Sequence, residues 1–194
     1  MFYLLSRWLL KMFLYGVYRM RVIGIENEPH SGPVLVCSNH RSLLDPPLVG
    51  CFLRRKVHFM AKTELFRIPI FSAMIRNYGA IPVARGGFNM ETLKLAIQML
   101  KSGNMLAIFP EGTRQRGNVL GEGKKGAASI ALRGGAKVLP VAIIGNYRWF
   151  QPMTVIYGEA FNAAEFESLP PAEQNDALTQ KIMSSIQTLM DSHV

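Results

Sequence analysis

The chain has 194 residues, 49% of them hydrophobic, which fits one domain with a sizeable apolar core. Its mean hydropathy of +0.14 is high for a freely soluble protein, yet it excludes a bundle of membrane-spanning helices. The net charge of +9 favours anionic partners: nucleic acid, anionic lipid, phosphorylated substrates or an acidic carrier protein.

The first 22 residues combine aromatic side chains and leucines with interspersed cations. No uncharged run reaches the roughly 18 residues of a spanning helix, and no small-residue cleavage site of a signal peptide follows. Arg7 and Lys11 share one helical stripe, and the remaining face is aromatic and aliphatic. This pattern predicts a membrane-associating interfacial helix over residues 1–22, with its cations toward anionic lipid. A core helix docked on the domain and a single spanning anchor are the alternatives.

Strand and helix patterns then alternate nearly to the end of the chain. The predicted strands are Met20–Glu26, Pro33–Ser38, Val57–Ala61, Gly79–Ala84, Asn104–Phe109, Lys137–Ile144 and Met153–Gly158. The predicted helices are Pro46–Leu53, Ile68–Tyr78, Phe88–Lys101, Lys124–Arg133 and a last helix after Ser168–Ala172. An apolar stripe on the last helix, formed by Leu178, Ile182, Ile186 and Leu189, is expected to pack on the domain. Strands that are apolar throughout are typical of a sheet covered on both faces. We therefore predict an α/β fold for residues 23–194: a single domain with a largely parallel mixed sheet of about seven strands flanked by helices.

Two of these elements carry more specific signals. Asn89 is expected to cap the helix that ends near Lys101, and Gly103 follows its end. Pro140 stands inside an apolar strand, which predicts an edge strand or a bulge. Cys37 and Cys51 lie in apolar runs without metal-ligand spacing, and this favours buried free thiols in a reducing compartment over a disulfide or a nucleophile.

His40 and Asp45 follow the strand Pro33–Ser38 and are the chain's most informative pair. A histidine oriented by a carboxylate can act as a general base near neutral pH. On one continuous helix their side chains would lie about 140° apart, so they can meet only if the chain bends between them. Pro46 supplies that bend, because it disfavours the α region at Asp45 and suits a helix's first turn. The alternative is an Asp45 that caps the helix, alone or with Ser42 as a capping box, beside an unrelated surface histidine.

Cations follow several other predicted strands. Lys62 ends one, Arg85 precedes two glycines after another, and Arg114 belongs to Phe109-Pro-Glu-Gly-Thr-Arg114. Ligands gather beyond the carboxyl ends of parallel strands, and the arginine fork can hold two phosphate oxygens. These residues suggest a phosphate pocket beside His40, although each could singly be a solvated surface charge. Glu111 could pair with an arginine of this cluster or accept a hydrogen bond from a substrate hydroxyl.

Four ordered motifs resemble those of the glycerolipid acyltransferases, most closely the bacterial lysophosphatidic acid acyltransferases. They are Asn39-His-Arg-Ser-Leu-Leu-Asp45, Gly79-Ala-Ile-Pro-Val-Ala-Arg85, Phe109-Pro-Glu-Gly-Thr-Arg114 and Val138-Leu-Pro-Val141. The resemblance implies a catalytic His40–Asp45 pair and a substrate site formed by Lys62, Arg85, Glu111, Gly112, Thr113 and Arg114. Within that site it implies phosphate binding by the three cations and glycerol positioning by Glu111. Gly123 departs from the pattern, because many relatives carry an aromatic residue there, and this leaves the contribution of Lys125 open.

The implied reaction is acyl transfer from acyl-CoA or acyl-carrier protein to the sn-2 hydroxyl of 1-acylglycerol 3-phosphate, giving phosphatidic acid. No cofactor, metal or nucleic acid is expected. An acyl-enzyme on Ser42 is disfavoured, because the sequence around it lacks a nucleophile elbow. The same base could instead acylate glycerol 3-phosphate, another lysophospholipid or a lyso-ornithine lipid. A thioesterase and a non-enzymatic basic membrane module are the remaining alternatives. The expected location is the bilayer surface, at the cytoplasmic face of a bacterial inner membrane.

Overall fold

The computed structural model of the protein describes residues 2–83, 89–117 and 119–192. The strands within these residues are β1 (Met20–Ile23), β2 (Val34–Ser38), β3 (Val57–Lys62), β4 (Ala80–Val83), β5 (Met105–Ile108), β6 (Lys137–Gly145), β7 (Met153–Tyr157) and β8 (Phe161–Asn162). The α-helices within them are α1 (Phe2–Val17), α2 (Asp45–Phe52), α3 (Pro69–Asn77), α4 (Met90–Lys101), α5 (Gly126–Gly134) and α6 (Pro171–Asp191). The two-residue strand β8 has no counterpart in the prediction, whereas the other seven strands do.

All eight strands of this described part form one sheet. Its main path runs in the order β1-β7-β6-β2-β5-β3-β4, and β8 pairs with β6. The five strands from β2 to β6 are parallel to one another. β7 is antiparallel to β6, and β1 is parallel to β7. The predicted α/β fold with a largely parallel mixed sheet is therefore confirmed.

The sheet has an apolar layer on each face, and β2 contributes to both. Val34 and Val36 pack into the layer that includes residues of α1 and α2. Leu35 and Cys37 pack into the layer that includes residues of α4, α5 and α6. All four side chains are fully buried, and burying a large aliphatic side chain contributes about 1.5–3 kcal/mol to stability. The end of β2 is therefore firmly anchored, and it leads directly into His40.

Both signals predicted at the ends of the helix α4 are confirmed. The side chain of Asn89 accepts a hydrogen bond from the N–H of Thr92, at 2.9 Å, and so caps α4. Gly103, just beyond that helix, adopts a φ of 77°, which glycine tolerates without a steric penalty. The apolar stripe predicted for the last helix is buried at Leu178, Ile182 and Ile186.

Pro140 lies in an interior strand of the sheet, so the predicted edge strand is wrong, but the predicted bulge is present beside it: residues 158–160 lie opposite residues 139–140, between the pairing of β6 with β7 and that with β8. Pro140 pairs in regular register with Cys37 of β2. Its carbonyl accepts a hydrogen bond from the N–H of Gly158, at 2.8 Å, so the backbone polar groups of Pro140 face the antiparallel side. On that side β8 pairs with Val138 and β7 with Val141. Pro140 has no backbone N–H, and on the side where an N–H would point it lies between the pairing with β8 and the pairing with β7. No ladder hydrogen bond is therefore lost at this position.

The helix α1 packs on the domain along one side only. Leu14 is buried, and Leu10 and Val17 pack against the same layer. The opposite side, here called the outer face of α1, carries large apolar side chains that are all exposed: Leu4, Leu5, Trp8, Leu9, Met12 and Phe13. The helix therefore docks one apolar side on the domain and leaves its larger apolar face exposed, which differs from an ordinary core helix. None of the helices within the described residues has the length and hydropathy needed to cross a membrane.

The two cations of α1 differ from expectation, because they face the domain. Arg7 donates a hydrogen bond to the carbonyl of Arg54, at 3.2 Å. The ammonium of Lys11 lies over the ring of Phe52, 5.6 Å from its centroid. The helix also ends at Val17 instead of residue 22, because residues 20–23 pair with β7. The outer face of α1 consequently carries no charge.

Candidate active site

His40 and Asp45 meet at the end of β2, as their sequence predicted. His40 lies two residues beyond that strand, and Asp45 is the first residue of α2. Nδ1 of His40 and Oδ2 of Asp45 are 2.7 Å apart, and the side chains are 18% and 0% exposed, respectively. Pro46 occupies the first turn of α2, where its fixed φ favours the start of a helix. The bend inferred from the sequence thus brings imidazole and carboxylate into contact.

The carboxylate of Asp45 organises the loop that precedes it. Oδ2 also accepts hydrogen bonds from the backbone N–H groups of Arg41 and Ser42, at 2.5 and 2.7 Å. Leu44, the residue just before the helix, makes no side-chain cap. The alternative of a histidine unrelated to Asp45 is therefore wrong, whereas the bond from the N–H of Ser42 to Asp45 is one half of the predicted capping box. These donors offset the free-energy cost of burying a carboxylate.

A further donor to Asp45 comes from Tyr147, which is not among the site residues predicted from the sequence. The Tyr147 hydroxyl donates a hydrogen bond to Oδ1 of Asp45. Burial raises the pKa of Tyr147 well above its usual value, and the neighbouring Asp45 carboxylate raises it further, so the hydroxyl keeps its proton. Tyr147 lies two residues beyond β6, the strand next to β2. Its position after the Val138-Leu-Pro-Val141 motif was the available signal, but using it requires knowing that β6 adjoins β2.

The His40 ring and backbone are both held by the loop that follows β5. The imidazole stacks on the ring of Phe109, with centroids 4.0 Å apart and planes inclined by 18°. The carbonyl of His40 accepts a hydrogen bond from the N–H of Gln115, at 2.8 Å. With Nδ1–H donating to Asp45, Nε2 is the nitrogen that carries the lone pair. This arrangement is suited to a base that takes a proton at Nε2 and returns it.

Glu111 lies behind His40 and bonds backbone groups on two loops. Oε1 accepts a hydrogen bond from the N–H of His40, and Oε2 accepts one from the N–H of Gly121, both at 2.8 Å. The side chain is only 2% exposed. A Cβ at Gly121 would come within 2.7 Å of Oε2, so this close approach requires glycine. These bonds of Glu111 to backbone N–H groups differ from the arginine pairing that the sequence suggested.

The sheet places Lys62, one of the predicted cations, along the same edge as His40. Val36 of β2 and Phe59 of β3 both pair with Ala107 of β5, which lies between them. Lys62, three residues beyond Phe59, is therefore nearly level with His40. Adjacent strands lie about 4.8 Å apart, so the ends of β2 and β3 are separated by roughly 10 Å. The exposed side chain of Lys62 stands at the end of β3, at this carboxyl edge.

The remaining predicted substrate residues lie in the loop after β5 or outside the residues that the structure describes. Arg114 is exposed and precedes Gln115, which bonds the His40 backbone. Gly112 adopts a φ of 70°, and Thr113 is exposed next to it. Arg85 lies outside the described residues. The structure thus brings His40, Asp45 and Glu111 into direct contact. Lys62 and Arg114 lie at the same edge of the sheet, as the strand order and the loop after β5 place them.

The turn between the β5 loop and α5 carries two adjacent lysines, Lys124 and Lys125, which have different neighbours. Lys125 forms an ion pair with Asp176 of α6, at 2.6 Å. Lys124 instead lies against Gly112: the Nζ of Lys124 is 3.0 Å from the position that a Cβ at Gly112 would occupy. Beside Gly123, the position where the resemblance expects an aromatic residue, the side chain of Met183 from α6 fills the space. Of the two cations, Lys124 is therefore the one next to the predicted substrate loop.

Comparisons with known proteins find similar acyltransferases. A 1-acyl-sn-glycerol-3-phosphate acyltransferase of Bacillus subtilis is 31% identical over 176 residues, covering 88% of this chain and 87% of the relative. A chloroplastic enzyme of the same name from Arabidopsis thaliana is 35% identical over 136 residues, covering 69% of this chain. This chain spans only 38% of the length of that plant relative.

A solved structure is similar over most of the fold. The 1-acyl-sn-glycerophosphate acyltransferase PlsC from Thermotoga maritima matches with a TM-score of 0.72 and 29% identity, covering 92% of this chain and 74% of that one. The acyltransferase family model matches residues 19–144, which include the strands β1 to β5, the His40–Asp45 pair and nearly all of β6. The chain therefore belongs to the acyltransferase family.

Proposed function

We propose that this protein transfers a fatty acyl group from acyl-CoA or acyl-carrier protein to the sn-2 hydroxyl of 1-acylglycerol 3-phosphate, giving phosphatidic acid. The observation that carries the proposal is the contact between His40 and Asp45 at 2.7 Å, in a chain of the acyltransferase family. The names of the relatives from Bacillus subtilis and Thermotoga maritima support the choice of acceptor.

The reaction requires one base and no covalent enzyme intermediate. Nε2 of His40 takes the proton of the sn-2 hydroxyl while the oxygen attacks the thioester carbonyl. Asp45 holds the opposite ring nitrogen and stabilises the imidazolium that forms. When the tetrahedral intermediate collapses, the carbon–sulfur bond breaks and the leaving sulfur takes the proton back from His40. An ester and a free thiol result, and His40 is neutral again.

An acyl-enzyme on Ser42 is the weaker alternative. The Ser42 Oγ accepts a hydrogen bond from the N–H of Leu44, at 3.2 Å, and so takes part in the turn before α2. The thioester is already activated, and the acceptor hydroxyl is itself a competent nucleophile once His40 removes its proton. A second nucleophile on the enzyme therefore adds nothing to the chemistry.

The acceptor phosphate is proposed to bind the cations beyond the strands β3, β4 and β5. Lys62 and Arg114 lie at the same edge of the sheet as His40, and Arg85 is included because of its motif. Holding the phosphate there would present the sn-2 hydroxyl to Nε2. Fixing two reactants in this way can contribute several kcal/mol to lowering the barrier, out of the roughly 7–11 kcal/mol available to ideal positioning.

The substrate and product of this reaction are lipids, so we also propose that the protein works at a bilayer. The uncharged outer face of α1 supports this, because an exposed apolar helix face fits the boundary between headgroups and acyl chains. The cytoplasmic face of a bacterial inner membrane is the proposed side. The two buried free thiols, Cys37 and Cys51, are consistent with that reducing compartment.

An acyl-transfer assay with a panel of acceptors tests the proposal. The panel would contain 1-acylglycerol 3-phosphate, glycerol 3-phosphate, a lysophospholipid without a terminal phosphate and a lyso-ornithine lipid, each with acyl-CoA and with acyl-carrier protein. We expect the highest kcat/KM with 1-acylglycerol 3-phosphate. Fatty acid release that added acceptor does not suppress would indicate a thioesterase, and a preference for an acceptor without phosphate would contradict the proposed substrate.

A further inference from the structure

The segment between β6 and β7 exposes two large aromatic side chains next to the active site. Trp149 is 75% exposed, the highest fraction among the large hydrophobic side chains of the described residues, and Phe150 is 63% exposed. Neither side chain packs in the apolar layers on the two faces of the sheet. Adjacent exposed aromatic residues are not needed for folding, so they point to a partner surface.

Phe150 is also held in an unfavourable backbone conformation. Its φ is 63°, and among the described residues it is the only non-glycine residue with a positive φ. A bulky residue rarely adopts this left-handed region unless the surrounding structure imposes it, and such residues cluster at functional sites. The N–H of Phe150 donates a hydrogen bond to the carbonyl of Val17, at 2.7 Å, which ties the segment to the end of α1.

This bond makes the segment a neighbour of the outer face of α1. Phe13 of that face lies four residues before Val17, or about 6 Å along the helix axis. Phe13 and Phe150 are both exposed, so apolar surface extends from the helix onto the segment. An apolar surface contributed by two separate elements would hold the domain in one orientation on its partner, whereas α1 alone would leave it free to rotate about the helix.

Cations border the aromatic pair and indicate the chemistry of the partner. Arg148 directly precedes Trp149 and is exposed. Arg19 and Arg21 are exposed too, and they flank Met20, which pairs with Met153 just beyond the segment. Aromatic rings beside arginines match the boundary of a bilayer, where rings lie at headgroup depth and cations meet anionic lipid. A second copy of this basic chain fits less well, because its arginines would face the same charge.

The segment is connected to the catalytic pair at its other end. Tyr147, two residues before Trp149, donates to Asp45. Gly145 accepts a hydrogen bond at its carbonyl from the Arg41 side chain, next to His40. From these contacts we infer that residues 148–150 form a second membrane contact, with Trp149 and Phe150 inserted at the headgroup–acyl boundary of a bilayer containing anionic lipid. This inference rests on the proposed function, because a lipid acceptor would then reach His40 directly from the bilayer.

The chain has two tryptophans, which allows a direct test. In a Trp8→Phe variant, Trp149 is the sole tryptophan reporter. With vesicles of phosphatidylcholine and phosphatidic acid, we expect its emission to shift to shorter wavelength, to be quenched by lipids brominated on the acyl chain and to be shielded from acrylamide. A Trp149→Phe variant, in which Trp8 reports on α1, is the matched control. Unshifted, unquenched Trp149 emission in protein that sediments with the vesicles would overturn the inference.

A second measurement asks what the two rings contribute to binding. We expect the Trp149→Ser/Phe150→Ser variant to bind vesicles at least about tenfold more weakly, because interfacial burial of both rings is lost. The control is Met90→Ser, which removes an exposed apolar side chain from α4 on the opposite face of the sheet. Unchanged vesicle affinity of a folded double variant would overturn the inference. A blue shift of Trp149 that depends on protein concentration without vesicles would also do so, since it would indicate self-association.

These measurements do not depend on which acceptor the enzyme uses. Quenching and sedimentation are recorded without acyl donor or acceptor, so a failed acceptor assay would overturn the proposed reaction and leave the lipid contact measurable. Conversely, normal transfer to 1-acylglycerol 3-phosphate together with a solvent-exposed Trp149 would overturn only the second membrane contact.

Discussion

Tyr147 donates its hydroxyl hydrogen bond to Oδ1 of Asp45, while His40 contacts Oδ2 of the same carboxylate at 2.7 Å. The two oxygens are thus bound by different side chains, which restricts rotation of the carboxylate relative to the imidazole. Three chain segments meet at this one group: the end of β2, the start of α2 and the segment after β6. The orientation of the proposed base therefore depends on the tertiary structure and not on the His40–Asp45 loop alone.

Replacing Tyr147 by Phe should lower kcat about tenfold with little change in KM for the acceptor, because one hydrogen bond to a charged group is lost. The ring and its edge-on contact with Tyr18, at 5.9 Å, would remain. Steady-state kinetics with varied acceptor would measure both constants. The matched control is Tyr157→Phe, which removes a hydrogen bond to the carbonyl of Val49 in α2 and should lower Tm without changing kcat. A wild-type kcat for Tyr147→Phe would show that this bond does not position Asp45.

Replacing Glu111 by Gln should lower the free energy of unfolding by about 1–3 kcal/mol, because one of two buried backbone N–H groups loses its acceptor. We expect kcat to fall as well, since one of these groups is the N–H of His40. Chemical denaturation and steady-state kinetics would measure the two effects. An unchanged stability with a raised acceptor KM would instead support the glycerol-positioning role that the motif implies.

Replacing Arg114 by Ala should raise KM for 1-acylglycerol 3-phosphate about tenfold or more, because a charge-assisted hydrogen bond to phosphate is lost. We expect kcat at saturating acceptor to change less. Arg116→Ala is the matched control, since Arg116 is an exposed arginine two residues further along the same loop. Equal KM values for the two variants would remove Arg114 from the phosphate site.

The two cysteines should be unreactive in the folded protein. Burial raises the pKa of Cys51 to about 12 and that of Cys37 higher still, so neither forms the nucleophilic thiolate near neutral pH. Titration with a thiol reagent at pH 8 should detect neither group in the native protein and both groups after denaturation. Rapid labelling of native protein would contradict the burial of these thiols in the sheet and α2.

Local signals predicted much of this fold. The cap at Asn89 and the apolar stripe through Leu178 and Ile182 gave their helices correctly, because caps and periodicity are properties of neighbouring residues. The contact between His40 and Asp45 was also predicted, because Pro46 indicated a bend between the two residues that could bring their side chains together. The family motifs pointed to Glu111 and Arg114 at the carboxyl edge of the sheet.

Strand order was the information that the sequence lacked. Tyr147 reaches Asp45 only because β6 lies next to β2. Pro140 is tolerated inside the sheet because the pairing partner of β6 changes from β8 to β7 beside it. The orientation of α1 was hidden for a related reason. A helix with aromatic residues on one face and cations on the other can turn either face to the domain, and here Arg7 and Lys11 face inward.

The most direct test of the central claim is the rate of acyl transfer by a purified His40→Ala variant, measured with a radiolabelled thioester and 1-acylglycerol 3-phosphate. We expect the rate to fall about 10²- to 10⁴-fold, the usual contribution of a general base, while the variant keeps its fold and its vesicle binding. His30→Ala, which changes an exposed histidine before β2, serves as the control and should retain wild-type activity. A His40→Ala rate close to that of the wild type would contradict the assignment of His40 as the base.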